Sequence, residues 1–339
     1  LQAFYFKIHF DSYEMIKVFN QEGPCMNKAF FASTSHPASQ PPLHRVNPVN
    51  PLGKTAERVV LITGASSGIG KATVAILAGK GWKVYACARR LESMQDFTGI
   101  GAIPLKLDVT DTNQCRTAVE EILRKEGHID ALVNNAGYGS YGALEDVPDE
   151  EARRQFDVNV FGLMGLTRLV LPHMRKQKRG RIINVSSMGG RITTPMGGWY
   201  HATKFALEAL SDVLRTEVKP FGVDVVVIEP GIVSTSWYGI AKENLLAASG
   251  NGPYSELARK MAIVLENTGG LGKWPMAPAS PDAIARVIEH ALQTKRPKTR
   301  YAAPCHAKLF LFFRWLLPDC VYDKMVMQQL IFLAKRGRK

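Results

Sequence analysis

The sequence predicts a doubly wound α/β fold, a mostly parallel sheet with helices on both faces, formed as a single domain over residues 57–303. Three observations carry this prediction. Short, β-rich apolar runs alternate with longer amphipathic stretches from Val59 onward, and connections of that kind build right-handed βαβ units and hence a parallel sheet. A glycine turn, Thr63-Gly64-Ala65-Ser66-Ser67-Gly68-Ile69-Gly70, leads from the first run into a helical stretch. The remaining polar motifs follow the ends of later runs, where the sites of such folds lie.

Taken in order, strands are predicted at Val59–Thr63, Lys83–Ala88, Ala102–Asp108, Ala131–Asn134, Arg181–Ser186 and Val223–Glu229. The first helix opens at about Ile69 and stops at Gly79-Lys80-Gly81, since glycine after the last periodic residue ends a helix. Further helices are predicted over Thr112–Glu126, Glu150–Lys178 and Tyr200–Pro220.

The 339 residues are 46% hydrophobic and 22% charged, ordinary values for a globular protein with a sizeable core. The net charge of +13 is unevenly placed: residues 291–339 hold 11 Lys/Arg against 2 Asp/Glu, whereas residues 57–290 hold 27 against 25. The body is therefore close to neutral, and no nucleic-acid partner is expected. The five cysteines, Cys25, Cys87, Cys115, Cys305 and Cys320, include no Cys-x-x-Cys pair. That usage fits a reducing, cytoplasmic setting without a disulfide framework, and no metal site is expected. No run reaches the ~18 apolar residues of a membrane span, and the N-terminus lacks the cationic and apolar regions of a secretory signal. Residues 1–56 form an N-terminal extension expected to be weakly ordered, with Ser, Thr, Pro and Asn crowded into 33–51. The stretch from Met26 to Ala56 lacks acidic residues, a faint transit-peptide feature. A plain extension, or an upstream start with Met26 as initiator, is the preferred expectation.

The glycine turn has the properties of an anion cradle. Glycines let the backbone approach a pyrophosphate closely, and the helix that follows offers free N–H groups and the positive end of its dipole. Residues Gly64, Ser66, Ser67, Gly68, Ile69 and Gly70 are accordingly candidate dinucleotide contacts. An acid commonly follows the second strand when the ribose 2′-hydroxyl is to be bound. Here Ala88 ends that strand and Arg89-Arg90 follow, and a guanidinium pairs with a 2′-phosphate. NADP(H) is preferred over NAD(H); the alternative is that both arginines are solvated and Glu92 serves the ribose. Asp108 and Val109 are expected to meet the adenine, and Asn135, Ala136 and Gly137 to leave room beside the cofactor.

Tyr200 and Lys204 share one helical face, a turn apart. A phenol has a pKa of about 10, and lowering it by ~3 units asks for ~4 kcal/mol in favour of the phenolate. A neighbouring ammonium and an oxidised nicotinamide supply charge of the right sign. Ser187, thirteen residues before the tyrosine, would hydrogen-bond a substrate oxygen. Asn159 interrupts a predicted helix, either as an ordinary satisfied amide or within a distorted turn that holds a water for Lys204.

Through Thr63-Gly64-x3-Gly68-Ile69-Gly70, Asn134-Asn135-Ala136-Gly137, Asn159, Ser187, Tyr200-x3-Lys204 and Pro230-Gly231, the chain resembles the short-chain dehydrogenase/reductase family. The resemblance covers about Arg58 to Ala303. It implies a Rossmann-like domain, a catalytic tetrad of Asn159, Ser187, Tyr200 and Lys204, and dinucleotide contacts that include Tyr200, Lys204, Pro230 and Gly231. Ala88-Arg89 resembles the NADP-preferring members. Thr203–Ser211 and Ile228-Glu229-Pro230-Gly231 are similar to the branch of 17β-hydroxysteroid and retinol dehydrogenases. A homodimer or homotetramer built on the helices of Asn159 and Tyr200 is also implied.

Family resemblance places a substrate lid at about Ile232–Pro278, with Trp237, Tyr238, Leu245, Leu246 and Trp274. Residues 304–339 are an apolar and then basic helical tail, in which Lys308–Leu317 and Val321–Leu333 precede Lys335-Arg336-Gly337-Arg338-Lys339. Such a tail either makes peripheral contact with an anionic membrane or covers the substrate cleft or a subunit interface. The expected activity is NADP(H)-linked interconversion of a lipophilic ketone and its secondary alcohol, of steroid, retinoid or keto-lipid type. The rivals are a 3-oxoacyl thioester reductase and a catalytically silent dinucleotide sensor or membrane scaffold.

Overall fold

A computed structural model describes residues 57–267 and 277–337. The expectations for residues 1–56, for Trp274 and for the last two residues lie outside the described residues. Seven strands form one parallel sheet in the order β3-β2-β1-β4-β5-β6-β7. They are β1 Val59–Thr63, β2 Lys83–Ala88, β3 Ile103–Lys106, β4 Ala131–Asn134, β5 Gly180–Val185, β6 Val223–Pro230 and β7 Arg300–Ala303. The helices are α1 Gly68–Gly79, α2 Thr112–Glu126, α3 Asp149–Phe156, α4 Leu163–Gln177, α5 Gly198–Val218, α6 Trp237–Ser249, α7 Ser255–Glu266, α8 Pro281–Gln293, α9 Cys305–Leu316 and α10 Asp319–Arg336. This is the doubly wound, Rossmann-like arrangement that the alternation of runs predicted.

Alternation within each strand builds two cores. Val60, Ile62, Val84, Ala86, Val133 and Ile183 face α1 and α8, where Val74, Leu77, Ile284 and Ile288 meet them. Val59, Leu61, Tyr85, Leu132 and Ile182 face the opposite layer, with Ile122 of α2, Leu166 and Met174 of α4 and Leu214 of α5. A third cluster lies off the carboxyl edge of the sheet and joins Tyr141, Met196 and Tyr200 to Ala241, Leu245, Met261, Leu265 and Leu330. Phe161, Phe205, Leu210 and Val213 remain exposed.

Several predicted elements have different bounds; β6 runs one residue further, to Pro230, and α5 spans Gly198–Val218 rather than Tyr200–Pro220, because Lys219–Phe221 tightens into a 3-10 turn. The third strand is Ile103–Lys106 rather than Ala102–Asp108, because the Ala102 N–H bonds back to Phe97 and the Asp108 carboxylate accepts from Thr110. The fifth begins one residue earlier and ends at Val185, although the Ser186 N–H still bonds to Ile228. Glu150–Lys178 is not one helix: α3 and α4 are separated by a π-helical segment, Asp157–Gly162. At its end a side chain on Gly162 would lie 2.6 Å from the Val109 carbonyl oxygen, so the wide turn and the bare glycine admit the loop after β3. The strand β7, Arg-Tyr-Ala-Ala at the half-buried edge of the sheet, lacks the apolar run that marks β4; Arg300–Ala303 pairs with Val227–Pro230.

Arg181 closes the end of the sheet remote from the polar motifs. Its Nη1 donates to the carbonyls of Ala291, Leu292 and Thr294 at the end of α8, and its Nη2 to Asp224 at 2.9 Å. Three carbonyls that α8 cannot satisfy internally thus share one largely buried guanidinium. Arg181→Met should lower the unfolding free energy by about 3 kcal/mol in urea titrations, and activity per folded molecule should be unchanged.

Candidate active site

The order of the sheet reverses between β1 and β4, and the turns after these two strands face each other there. Gly64 and Gly68 have positive φ, +64° and +52°, values that glycine alone adopts at little cost. A side chain on Gly70 would stand 2.2 Å from the Gly64 carbonyl oxygen, and one on Gly64 would stand 2.9 Å from the Ala136 Cα. Asn135 fastens the two turns: its Nδ2 donates to the Thr63 and Gly64 carbonyls at 3.0 and 3.1 Å. The Thr63 hydroxyl accepts from the N–H groups of Asn135 and Ala136, both at 3.0 Å. Ser67 precedes α1 in an extended conformation without capping it through its side chain, so the first-turn N–H groups face the cleft. This bare, donor-lined cradle fits the pyrophosphate of a dinucleotide.

One cavity of about 380 Å³ runs from this cradle past the proposed tetrad. Gly64, Ser67, Gly68, Ile69, Asn135, Gly137, Ser187, Tyr200, Lys204, Pro230 and Gly231 all line it. Gly70 and Ala136 stand behind the turn, and Asn159 is buried behind Gly137, its Oδ1 3.0 Å from where a Gly137 side chain would begin. Ser66, Arg89, Asp108 and Val109 do not line the cavity. Arg89 is exposed just after β2 and lies near enough to Tyr138 to act on its phenol electrostatically.

The Ser187 hydroxyl accepts from the Gly189 N–H at 3.0 Å, donates to the Pro230 carbonyl at 3.5 Å, and lies near enough to the Tyr200 phenol to act on it. Burial pushes the Tyr200 pKa up to about 12, with the Ser187 hydrogen bond acting in the opposite direction. Lys204 is 7% exposed, and its Nζ donates to the Val185 carbonyl at 3.0 Å. Desolvation lowers its pKa to about 8, with the Glu208 charge opposing. In the protein alone, then, the phenol is held in its neutral form. The depression needed for proton transfer near neutrality requires positive charge brought in beside it.

Asn159 sits in the π-helical segment. Its side-chain amide is fully engaged, accepting from Tyr138 N–H at 3.0 Å and donating to the Tyr138 carbonyl at 2.8 Å and to the Thr203 hydroxyl at 3.1 Å. Both anticipated descriptions meet in it, since the amide is satisfied and the turn is distorted. The side chain thereby ties the π-helical turn to the Tyr138 segment and to α5.

Spacing did not reveal the residues that brace these groups. The Thr203 hydroxyl donates to the Tyr200 carbonyl at 2.7 Å. His201 Nε2 accepts from the Thr194 N–H, so the proton sits on Nδ1 and is donated to the Gly189 carbonyl at 2.8 Å. Burial lowers the pKa of this imidazole and keeps it neutral. His201 and Thr203 lie inside the Tyr200–Lys204 pentapeptide, but Thr203 also reaches Asn159 across 44 residues and His201 reaches the loop before the helix, contacts that helical spacing does not show.

Lid and tail wall the far side of the cavity. Trp237 stacks at 5.1 Å on Tyr200 and edge-on at 5.7 Å to Tyr141, filling a notch where a side chain on Gly139 would meet it at 2.2 Å. Trp237 and Tyr238 face the cavity, Leu245 packs inside the third cluster, and Leu246 points to solvent. From the tail, Phe310, Tyr322, Val326, Leu330 and Leu333 complete the wall. His306 Nε2 accepts from the Ile232 N–H at 2.8 Å, fastening α9 to the strand end that carries Pro230 and Gly231. The tail thus covers the cleft. No described helix is long and apolar enough to cross a membrane, and no described cluster of His, Cys, Asp or Glu could hold a metal.

Comparison with known proteins agrees with this geometry. Residues 58–244 match the family model for short chain dehydrogenases. The NADPH-dependent 3-dehydrocapnine reductase of Ornithobacterium rhinotracheale is 35% identical over 296 residues, which span 83% of this chain and 100% of that protein. The 3-ketodihydrosphingosine reductase of Bacteroides thetaiotaomicron is 43% identical over 181 residues, covering 53% of this chain and 65% of that one. A short-chain dehydrogenase structure from Streptomyces avermitilis superposes with a TM-score of 0.67 at 33% identity, over 83% of this chain and 98% of that one. The chain belongs to the short-chain dehydrogenase/reductase family of NAD(P)-dependent oxidoreductases.

Proposed function

We propose that the chain is an NADP(H)-dependent oxidoreductase that interconverts a long-chain keto-lipid and its secondary alcohol. The observation that carries this reading is the single apolar cavity reaching from Tyr200 to the tail helices, closed by Trp237, Met261, Leu265, Phe310 and Leu333. Its wall offers hydrophobic contact along its length and polar groups mainly at the Ser187–Tyr200 end, which suits a greasy substrate with one reactive oxygen. The relatives named for 3-keto lipids point the same way. A steroid or retinoid is the second choice, because no relative named here acts on one.

When bound, the dinucleotide supplies or accepts the hydride. Gly64, Ser67, Gly68 and Ile69 would hold its pyrophosphate in a turn that Gly70 and Ser66 shape, Asp108 and Val109 would meet its adenine end beyond the cavity, and Asn135, Gly137, Pro230 and Gly231, backed by Ala136, would hold its nicotinamide half. In the reductive direction the Ser187 hydroxyl orients the substrate oxygen and Tyr200 donates the proton to it. Lys204 supports the phenolate that remains, and Asn159 holds the Tyr138 segment against Gly137 and Lys204. Arg89 is assigned to a 2′-phosphate; no carboxylate occupies the end of β2 to repel it. The apolar residues left exposed on the π-helical segment and α5 are assigned to contact with a second copy of the chain.

NADPH oxidation with a panel of lipophilic ketones tests the reading. Tyr200→Phe should lose about 10²- to 10⁴-fold in turnover while NADPH still binds with unchanged affinity. Binding of NADPH by the wild type without turnover of any carbonyl would favour a silent sensor instead.

Removing a charge-assisted pair costs about 1.5–3 kcal/mol. Arg89→Ala should therefore raise the Kd for NADPH about 10- to 100-fold and leave that for NADH nearly unchanged; equal effects on both cofactors would return the arginine to solvent.

The tail's outer side supports a membrane role as well as a covering one. Trp315 is 79% and Phe332 56% exposed, close in sequence to Arg314, Lys335 and Arg336. The wild type should co-sediment with phosphatidylserine vesicles, and Trp315→Ser/Phe332→Ser should reduce the bound fraction several-fold. Equal sedimentation would sink the membrane contact.

A further inference from the structure

Beneath Lys204 lies a cluster of charged groups that the proposed chemistry does not use. Glu208 follows Lys204 by one turn of α5 and is 5% exposed. Its Oε2 accepts from Arg300 Nε of β7 at 3.0 Å, while its Oε1 has no hydrogen-bond partner. Arg300 is shared: its Nη2 donates to Asp212 at 2.7 Å, and Glu229 of β6 lies 3.4 Å from its Nε. Arg191, just after the Met188–Gly190 turn, is half exposed and stands 3.8 Å from Glu229, and Arg215 is paired with Asp212. One half-buried guanidinium therefore serves two buried carboxylates and a third at the surface. With Arg191 and Arg215 the cations match the carboxylates in number, and Glu208 keeps one carboxylate oxygen without a hydrogen-bond partner one helical turn from Lys204.

We propose that Glu208 is a positioning residue for proton transfer, whose buried carboxylate, fixed by Arg300, holds Lys204 as an ammonium beside Tyr200. The inference rests on the reading of Tyr200 and Lys204 as the proton-transferring pair. A buried lysine without a counter-charge gives up its proton, and the Lys204 ammonium otherwise meets the neutral Val185 carbonyl. Glu208 is the charge that acts against desolvation at Lys204. Burial, followed by the Glu208 charge, lifts the Glu229 pKa to about 7. The backbone reinforces the arrangement. A side chain on Gly190 would lie 2.9 Å from Glu208 Cγ, 2.8 Å from Ser186 Oγ and 3.0 Å from the Lys204 carbonyl. The turn following Ser187 thus packs directly on the Lys204–Glu208 segment.

The sign of the pH effect follows. The lysine pKa, lowered to about 8, leaves the ammonium in place below that pH and removes it above. Without Glu208 the ammonium is lost sooner. With the ketone of highest turnover in the panel, the alkaline limb of kcat/KM should move about one unit or more to lower pH in Glu208→Gln, with near wild-type rates retained at the acid end. Glu208→Asp, which keeps the charge, should restore most of the limb, and Glu229→Gln should leave it in place. If Glu208→Gln fails to fold, Glu208→Gln/Arg300→Met removes both buried partners together and should show the same displacement. An unmoved limb in a folded variant, with the rate lowered evenly at every pH, overturns the proposal. Lys204→Met separates the two levels: loss of turnover there with an unmoved limb in Glu208→Gln refutes Glu208 alone. Wild-type turnover in Lys204→Met refutes the proton-transfer reading and this role with it.

Discussion

The structure depends on one close approach, the contact between the turn after β1 and the end of β4. The Asn135 amide bridges the Thr63 and Gly64 carbonyls, and Gly70 passes so near Gly64 that no side chain fits between them. That contact sets where α1 begins and points its unpaired N–H groups at the cleft. Because the segment after β4 also carries Gly137, it fixes the floor against which Asn159 and Lys204 pack. A substitution here would disturb both halves of the site, since the same few backbone atoms bound the cradle and the chemical groups.

The second constraint is the economy of α5. Tyr200, Thr203, Lys204, Glu208 and Ser211 are buried on this one helix. Thr203 reaches Asn159, Lys204 reaches Val185, Glu208 reaches Arg300, and the Ser211 hydroxyl accepts from Asn184 at 2.8 Å. Asn184 in turn accepts from Asn134. The ends of β4 and β5 and the start of β7 are therefore referenced to the same helix through polar bonds in a water-poor setting where each is strong.

Much of this was legible in the sequence because it is local. The helix Thr112–Glu126 has its predicted bounds since Asp111 caps its start, accepting from Asn113 and Gln114, and Gly127 ends it in the left-handed region. The glycine turn, the Tyr200–Lys204 spacing and the runs of β1, β2 and β4 are equally short-range signals. What escaped is non-local. The π-helical segment around Asn159 answers to Tyr138 and to the loop after β3, and the Arg300 cluster joins three elements across 92 residues of chain. His201 has the same character, its partners Thr194 and Gly189 lying on the loop it restrains. Helical periodicity assigns such positions to a buried face and carries no information on what they touch there.

The tail shows why its two anticipated roles need not compete. A helix has two sides, and in α10 Tyr322, Leu330 and Ala334 are buried while Val321, Met327 and Phe332 are exposed. Closing the cleft uses the first side only. Burial of the inner side against α7 makes the tail part of the cavity wall, and on the outer side Val321, Met327 and Phe332 are exposed among Lys324, Lys335 and Arg336. A lipid substrate reaching Tyr200 from a bilayer would then cross a short apolar path and would not need to enter water, where exposure of each buried CH₂ costs about 0.8 kcal/mol. Covering the site therefore occupies one side of the helix only, and the membrane contact proposed above would use the other.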